Sequence, residues 1–115
     1  MRAAFCVLSC FVFSIVSASE PPSVATFSII ALDPESGEIG VAVQSKIVGV
    51  GSVVPFAKAG VGAIATQAFA NVGYGPLALQ ALAAGMSPKD VRDLLVKEDP
   101  LQSLRQFGIL AADGE

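Results

Sequence analysis

Apolar and polar positions along this chain fall into short runs separated by turn residues, the pattern of a strand-rich domain with a few helices. Residues 27 to 32, FSIIAL, are β-favouring and only partly alternating, which predicts a strand buried on both faces. The polar string Asp33-Pro34-Glu35-Ser36-Gly37-Glu38 breaks the run with turn chemistry: Asp leads, Pro fixes φ, and Gly supplies a positive φ. Residues 39 to 44, IGVAVQ, form a second strand, so the pair reads as a β-hairpin. Residues 53 to 58, VVPFAK, give a third strand, and Pro55 confines it to an edge or a bulge. Residues 62 to 66, GAIAT, give a fourth.

A helix is predicted from Gly75 to Ala84, with Pro76 at its first position and Gly85 at its end. It is apolar nearly all round, which predicts a place inside the core. A second helix opens on Ser87 as N-cap, with Pro88 at N1 and Asp90 near the positive end of the dipole. Val91, Leu94 and Leu95 supply its apolar face, and Asp99-Pro100 ends it. Residues 105 to 111, RQFGILA, form a fifth strand, and Asp113-Gly114 is a hairpin turn. A turn with no following strand reads as a truncated domain.

Residues 3 to 16, AAFCVLSCFVFSIV, stand apart from this pattern. With Arg2 before them and small residues after, they have the order of a secretory leader, and they are shorter than the ~20 residues of a comfortable membrane span. Val16-Ser17-Ala18 sets a cut before Ser19, so the leader is residues 1 to 18. The alternative, Ser23-Val24-Ala25, extends it to residue 25 and exposes Thr26. Val7-Leu8-Ser9-Cys10 loosely resembles a lipobox, but the apolar run continues past Cys10. The expected location is secreted or periplasmic, with no membrane span once the leader is gone.

Composition narrows the chemistry. The chain has 115 residues, enough for one domain, and is 53% hydrophobic and 15% charged, so it can bury a core. Its net charge of −3, with no basic cluster, argues against nucleic-acid binding. Histidine is absent, which removes Ser-His-Asp and Cys-His catalysis and the usual His-containing zinc sites. Both cysteines, Cys6 and Cys10, lie in the leader. No metal and no cofactor are expected.

The string TFSIIALDPESGEIGVAVQSK, then VPFAKAGVGAIATQAFANVGYGPLALQALAAG and SPKDV, resembles the domain-of-unknown-function 1028 family over nearly all of residues 26 to 115. The resemblance implies an α+β fold of the N-terminal-nucleophile hydrolase type, a four-layer αββα sandwich. About half of it is expected in this chain. It implies a general class of chemistry and no settled reaction.

Within that class Thr26 is the candidate catalytic residue, a hydroxyl amino acid at the head of the first strand. Threonine needs a base beside it. A freed α-amine, with a pKa of about 7.7–8.0, is about one-tenth free base near neutral pH, whereas an ordinary lysine is so roughly once in 2,500 molecules. The amine of Thr26 itself is therefore the more available base, provided the Ala25–Thr26 bond is cut. Lys46 is a second catalytic candidate: antiparallel pairing would bring its charge toward the Thr26 hydroxyl and lower that hydroxyl's pKa. Its plainer role is a solvated strand-end lysine. Ser45, Thr66, Gln67 and Asn71 are candidates for substrate binding or an oxyanion hole, against a plainer role in loop hydrogen bonding.

Two functions follow. One is an exported amidohydrolase acting on an unknown amide or peptide, with cell-wall-derived material among the candidates. The other is a non-catalytic envelope module that binds peptide or peptidoglycan-like ligands. The sequence leaves a homo-oligomer open.

Overall fold

The first hairpin shows how strand alternation sorts this chain into faces. The computed structural model describes residues 25–115, so the expected leader and its two cysteines lie outside the described residues. β1 (Thr26–Leu32) and β2 (Ile39–Ser45) form a two-stranded antiparallel sheet, with Thr26 opposite Ser45 and Leu32 opposite Ile39. Their turn is held by its own side chains. The Asp33 carboxylate accepts from the Ser36 hydroxyl at 2.8 Å and from the Glu35 N–H at 2.9 Å, and Gly37 takes a φ of +73°. The Ser36 bond, with the Glu35 bond behind it, holds the Asp33 carboxyl below its ordinary range.

Thr26, Ser28, Ile30 and Leu32 share the half-buried face of β1, as Val41, Val43 and Ser45 do on β2. Phe27 and Ile29 lie on the other face and remain 65% and 52% exposed. β1 is thus buried on one face, where its apolar run predicts two. The run could not reveal which layers lie over it, and among the described residues nothing covers the outer face.

A second antiparallel sheet is ordered β3 (Pro55–Lys58), β4 (Gly62–Ala68), β5 (Arg105–Ala111). Pro55 opens the edge strand, where its missing N–H costs no ladder bond. Val53 and Val54, expected in that strand, precede it. A 3₁₀ turn at Val50–Ser52 leads into them, and the Val54 carbonyl accepts from the Thr66 N–H at 3.0 Å, one step beyond the Pro55–Ala65 pair. β4 runs past its expected end at Thr66 and carries Gln67 to the end of the sheet. It is central, and Gly62 through Gln67 are buried.

The two faces of β4 meet different layers. Ile64 packs with α1 (Tyr74–Ala83) and α2 (Pro88–Val96) in a core completed by Tyr74, Ala78, Leu82, Val91 and Leu95. The opposite face, with Ala63, Ala65 and Gln67, meets the β1–β2 hairpin. Small residues let the two sheets approach: Ile30 Cδ1 lies 4.0 Å from where a Cβ on Gly108 would stand. The order of layers is helices, three-stranded sheet, hairpin.

Among the described residues α1, expected inside the core, is not sandwiched. α1 buries one stripe, Tyr74, Gly75, Ala78, Ala81 and Leu82, and leaves Leu77 43% exposed. It starts one residue earlier than predicted, so Pro76 sits inside the first turn, where amides lack intrahelical partners in any case. Gly75 lies against the Phe56 ring so closely that a Cβ would overlap it. In α2 the Ser87 hydroxyl accepts from the Asp90 N–H at 3.2 Å, as the N-cap pattern predicts. Val91 and Leu95, one turn apart, point into the sheet, while Leu94 is rotated off that stripe and is 42% exposed.

Candidate functional site

The antiparallel register of the hairpin brings the first residue of β1 beside the last of β2. The Thr26 Oγ1 and Ser45 Oγ atoms are 3.1 Å apart, on the face turned toward the second sheet. The Ser45 hydroxyl also accepts from the Ile47 N–H at 3.2 Å, which ties it to the loop that follows.

From the other sheet Gln67, only 7% exposed, reaches the same residue. Its Nε2 donates to the Thr26 carbonyl at 3.3 Å, and its Oε1 accepts from the Ser28 hydroxyl at 2.7 Å. Directly after Gln67, Ala68 takes a φ of +63°, a left-handed conformation that a non-glycine residue adopts at a cost of roughly 1–2 kcal/mol, and the chain leaves the sheet there. Between β1 and the β4–β5 pair lies a cleft of about 370 Å³, lined in part by Thr26, Ser28, Gln67 and Gln106. A larger hollow of about 770 Å³ sits at the hairpin turn, but there Asp33 and Ser36 are engaged in the turn's own hydrogen bonds. Chemically, the smaller cleft holds a primary nucleophile candidate with a hydroxyl partner and a fixed amide beside it.

Three of the six residues singled out in the sequence therefore meet: Thr26, Ser45 and Gln67. Lys46 follows Ser45 beyond the strand end, is exposed, and is not part of the cleft wall. Thr66 and Gln67 do not act together, because consecutive strand residues point to opposite faces. Thr66 lies on the helix side with Ile64, fully buried. Asn71 is also apart: its Oδ1 accepts from the Gly73 N–H at 3.0 Å ahead of α1, and it borders a separate hollow with Leu94 and Pro100. Ser28 escaped the sequence reading, although its place two residues after Thr26 on one strand puts both on one face.

A polar network on the helix side also went unread. Arg105, at the head of β5, donates through Nε to Asp99 Oδ2 at 2.8 Å, with under a tenth of either side chain exposed. Tyr74 donates to the same oxygen at 2.6 Å, and the Leu101 N–H to Oδ1 at 2.8 Å. Arg105 also donates through Nη1 to the Phe69 carbonyl, and its guanidinium lies 5.2 Å from the centre of the Phe69 ring. The Arg105 bond first, then the Tyr74 bond, holds the Asp99 carboxyl well below the usual carboxylate range. Burial, and then the Asp99 acceptor, pushes the Tyr74 hydroxyl up to about 12. The network ties the chain after Ala68 and the chain after α2 to β5, closing the end of the sheet that carries Gln67.

The fold and site define an α+β domain of two stacked antiparallel sheets with two helices on one side, and a hydroxyl residue at the head of the first strand set in the cleft between the sheets. The chain belongs to the family of unknown function DUF1028, whose model matches residues 26–115. It is similar to the crystal structure of protein SPO2555 from Silicibacter pomeroyi, described as family-model DUF1028. The identity is 33% and the TM-score 0.73, over 78% of this chain and 40% of that one. The chain thus spans well under half the length of that solved relative. No curated protein matches.

Proposed function

We propose that this chain is part of an exported, N-terminal-nucleophile-type amidohydrolase that cleaves an unknown amide or peptide with Thr26. The observation that carries the reading is the place of the Thr26 hydroxyl: at the head of β1, in a cleft, 3.1 Å from Ser45 Oγ. With Ala25 removed, the amine of Thr26 takes the proton from Oγ1 as the oxygen attacks the amide carbon. The C–N bond breaks, the amine returns the proton to the leaving nitrogen, and an ester to Thr26 remains. Water then attacks that ester, giving one proton to the amine and, through it, to the Thr26 oxygen. The α+β layers support an αββα sandwich as the complete fold, since a further helical layer would cover Phe27 and Ile29.

A second reading, an envelope module that binds peptide or wall-derived ligands without cleaving them, draws its support from the leader. Val16-Ser17-Ala18 lies at the more usual distance from the apolar run, and a cut there leaves a tail ahead of Thr26.

One experiment separates the two. The N-terminal residue of the secreted mature chain is sequenced, and the mature protein is assayed on a panel of amide and peptidoglycan-derived substrates. Beside it run Thr26→Ala and a form with one residue added before Thr26. The hydrolase reading requires a chain that starts at Thr26, and turnover abolished in both variants. Equal turnover by the extended form would defeat the amine as base. Binding without turnover in every form would establish the envelope module.

A further inference from the structure

We infer that Ser28 and Gln67 form a positioning clamp that fixes Thr26 for attack, a role distinct from the substrate contact that the sequence suggests for Gln67. The inference rests on the reading of Thr26 as nucleophile.

The geometry admits one orientation of the Gln67 amide. The Thr26 carbonyl oxygen can only accept, so the Gln67 Nε2 must face it, at 3.3 Å. Oε1 then faces Ser28, and the Ser28 hydroxyl has to donate, at 2.7 Å. Gln67 is 7% exposed, so turning the amide round would set two acceptors against each other with little water to relieve them. The Thr26 carbonyl thus selects the amide orientation, and Ser28 holds the Gln67 side chain in it from the far end.

The need for such a hold follows from where Thr26 sits. It begins a strand of a two-stranded sheet, and chain ends stay poorly ordered unless tied down. Its side chain meets Ser45 in its own sheet, while its carbonyl is held from the other sheet by Gln67. Two anchors on two layers leave residue 26 no free rotation about the strand axis, which fixes Oγ1 and the α-amine relative to the cleft. Misplacing a reacting oxygen by about 1 Å is enough to lower a rate by as much as roughly 100-fold. Neither clamp residue titrates, so the clamp sets the rate and leaves its pH midpoint to the amine.

The test uses the full chain produced with its leader, the mature species isolated, and a β-lactone as probe. The Thr26 oxygen attacks the lactone carbonyl, the ring C–O bond breaks, and the ring oxygen takes the proton, so no co-reactant is needed. Peptide mapping locates the acyl adduct, and rates over a pH series give the maximal acylation rate, the apparent affinity and the pH midpoint. Ser28→Ala is expected to lower the maximal rate about tenfold, the loss of one positioning hydrogen bond. Affinity stays within about twofold and the pH midpoint does not move. Ser28→Thr keeps the hydroxyl and restores most of the rate. Gln67→Met, of similar volume, loses at least as much as Ser28→Ala. If wild type is acylated on Thr26 and both Ser28→Ala and Gln67→Met match it, the clamp is wrong while the nucleophile stands. A Ser28→Ala loss that Ser28→Thr does not restore, or that follows its melting temperature, reduces the pair to a packing role and overturns the inference. If wild type is not acylated on Thr26, the nucleophile reading fails and the clamp falls with it.

Discussion

Thr26 and Ser45 are cross-strand partners whose hydroxyl oxygens stand 3.1 Å apart, and the Ser45 oxygen is already accepting from the Ile47 N–H. With one lone pair so engaged, Ser45 can turn its own proton toward Thr26 Oγ1. A donor aimed at that oxygen favours its anionic form as attack develops. Ser45→Ala is therefore expected to slow β-lactone acylation of Thr26 about tenfold, near the worth of one hydrogen bond. The thermal midpoint should change little, because the pair sits at a strand end. An unchanged acylation rate in Ser45→Ala would show that the hydroxyl contact plays no part in the chemistry.

The Asp99–Arg105–Tyr74 network predicts how stability varies with pH. An Asp in the unfolded chain titrates near 3.9, and in the fold Arg105 holds Asp99 well below its ordinary value. Below about pH 4 the unfolded chain binds a proton that the folded chain refuses, so stability present above that pH is lost as acid is added. Tyr74 works the other way. Burial raises its hydroxyl from about 10 to about 12, so its contribution is intact below pH 10 and is lost as pH climbs through that interval. Asp99→Asn should lower the melting temperature at pH 7 by many degrees, since it leaves Arg105 buried without its counter-charge, and should flatten the acid limb. Tyr74→Phe should flatten the alkaline limb. Parallel melting curves for wild type and Asp99→Asn between pH 3 and 5 would contradict this assignment.

The core between helices and sheet gives a prediction of size. Ile64 is fully buried on the helix side of β4, among Tyr74, Leu82 and Val91. Ile64→Ala should cost about 2–5 kcal/mol, from lost transfer energy and the cavity left behind. Ser87→Ala, which removes the N-cap of α2, should cost about 1 kcal/mol. Denaturant titrations of the two variants settle the ranking, and a larger loss for Ser87→Ala would mean that α2, not the sheet, organises the core.

How far the sequence could be read depends on how local each feature is. The hairpin turn, the α2 cap and the edge position of Pro55 were legible because one to four neighbouring residues decide them. Antiparallel pairing leads to the expectation of Lys46 near Thr26, and the register instead sets Ser45 opposite it, one residue earlier. Contacts between layers were not legible. Nothing near Arg105 in the chain announces that it holds both Asp99 and the Phe69 carbonyl. Nor does the apolar run of β1 reveal that Phe27 and Ile29 lie on a face that no described residue covers. Thr66 and Gln67 looked like one cluster because they are adjacent in sequence, yet strand alternation sends them to different layers.

Thr66 itself supplies the sharpest test of that separation. It is fully buried on the helix side of β4, and its Oγ1 has no hydrogen-bond partner among the described residues. A buried hydroxyl without a partner carries a desolvation penalty of about 1–3 kcal/mol. Valine has nearly the same shape and the same β-branch, so Thr66→Val removes the polar atom without opening a cavity, and β-branched side chains suit a strand. The expected result is a melting temperature equal to wild type or higher, by up to about 1 kcal/mol of stability. Because the side chain faces away from the Thr26 cleft, β-lactone acylation should proceed at the wild-type rate in the same variant. A large fall in melting temperature would show that the hydroxyl is bonded after all. A fall in acylation with stability unchanged would return Thr66 to the site and refute its placement on the opposite face.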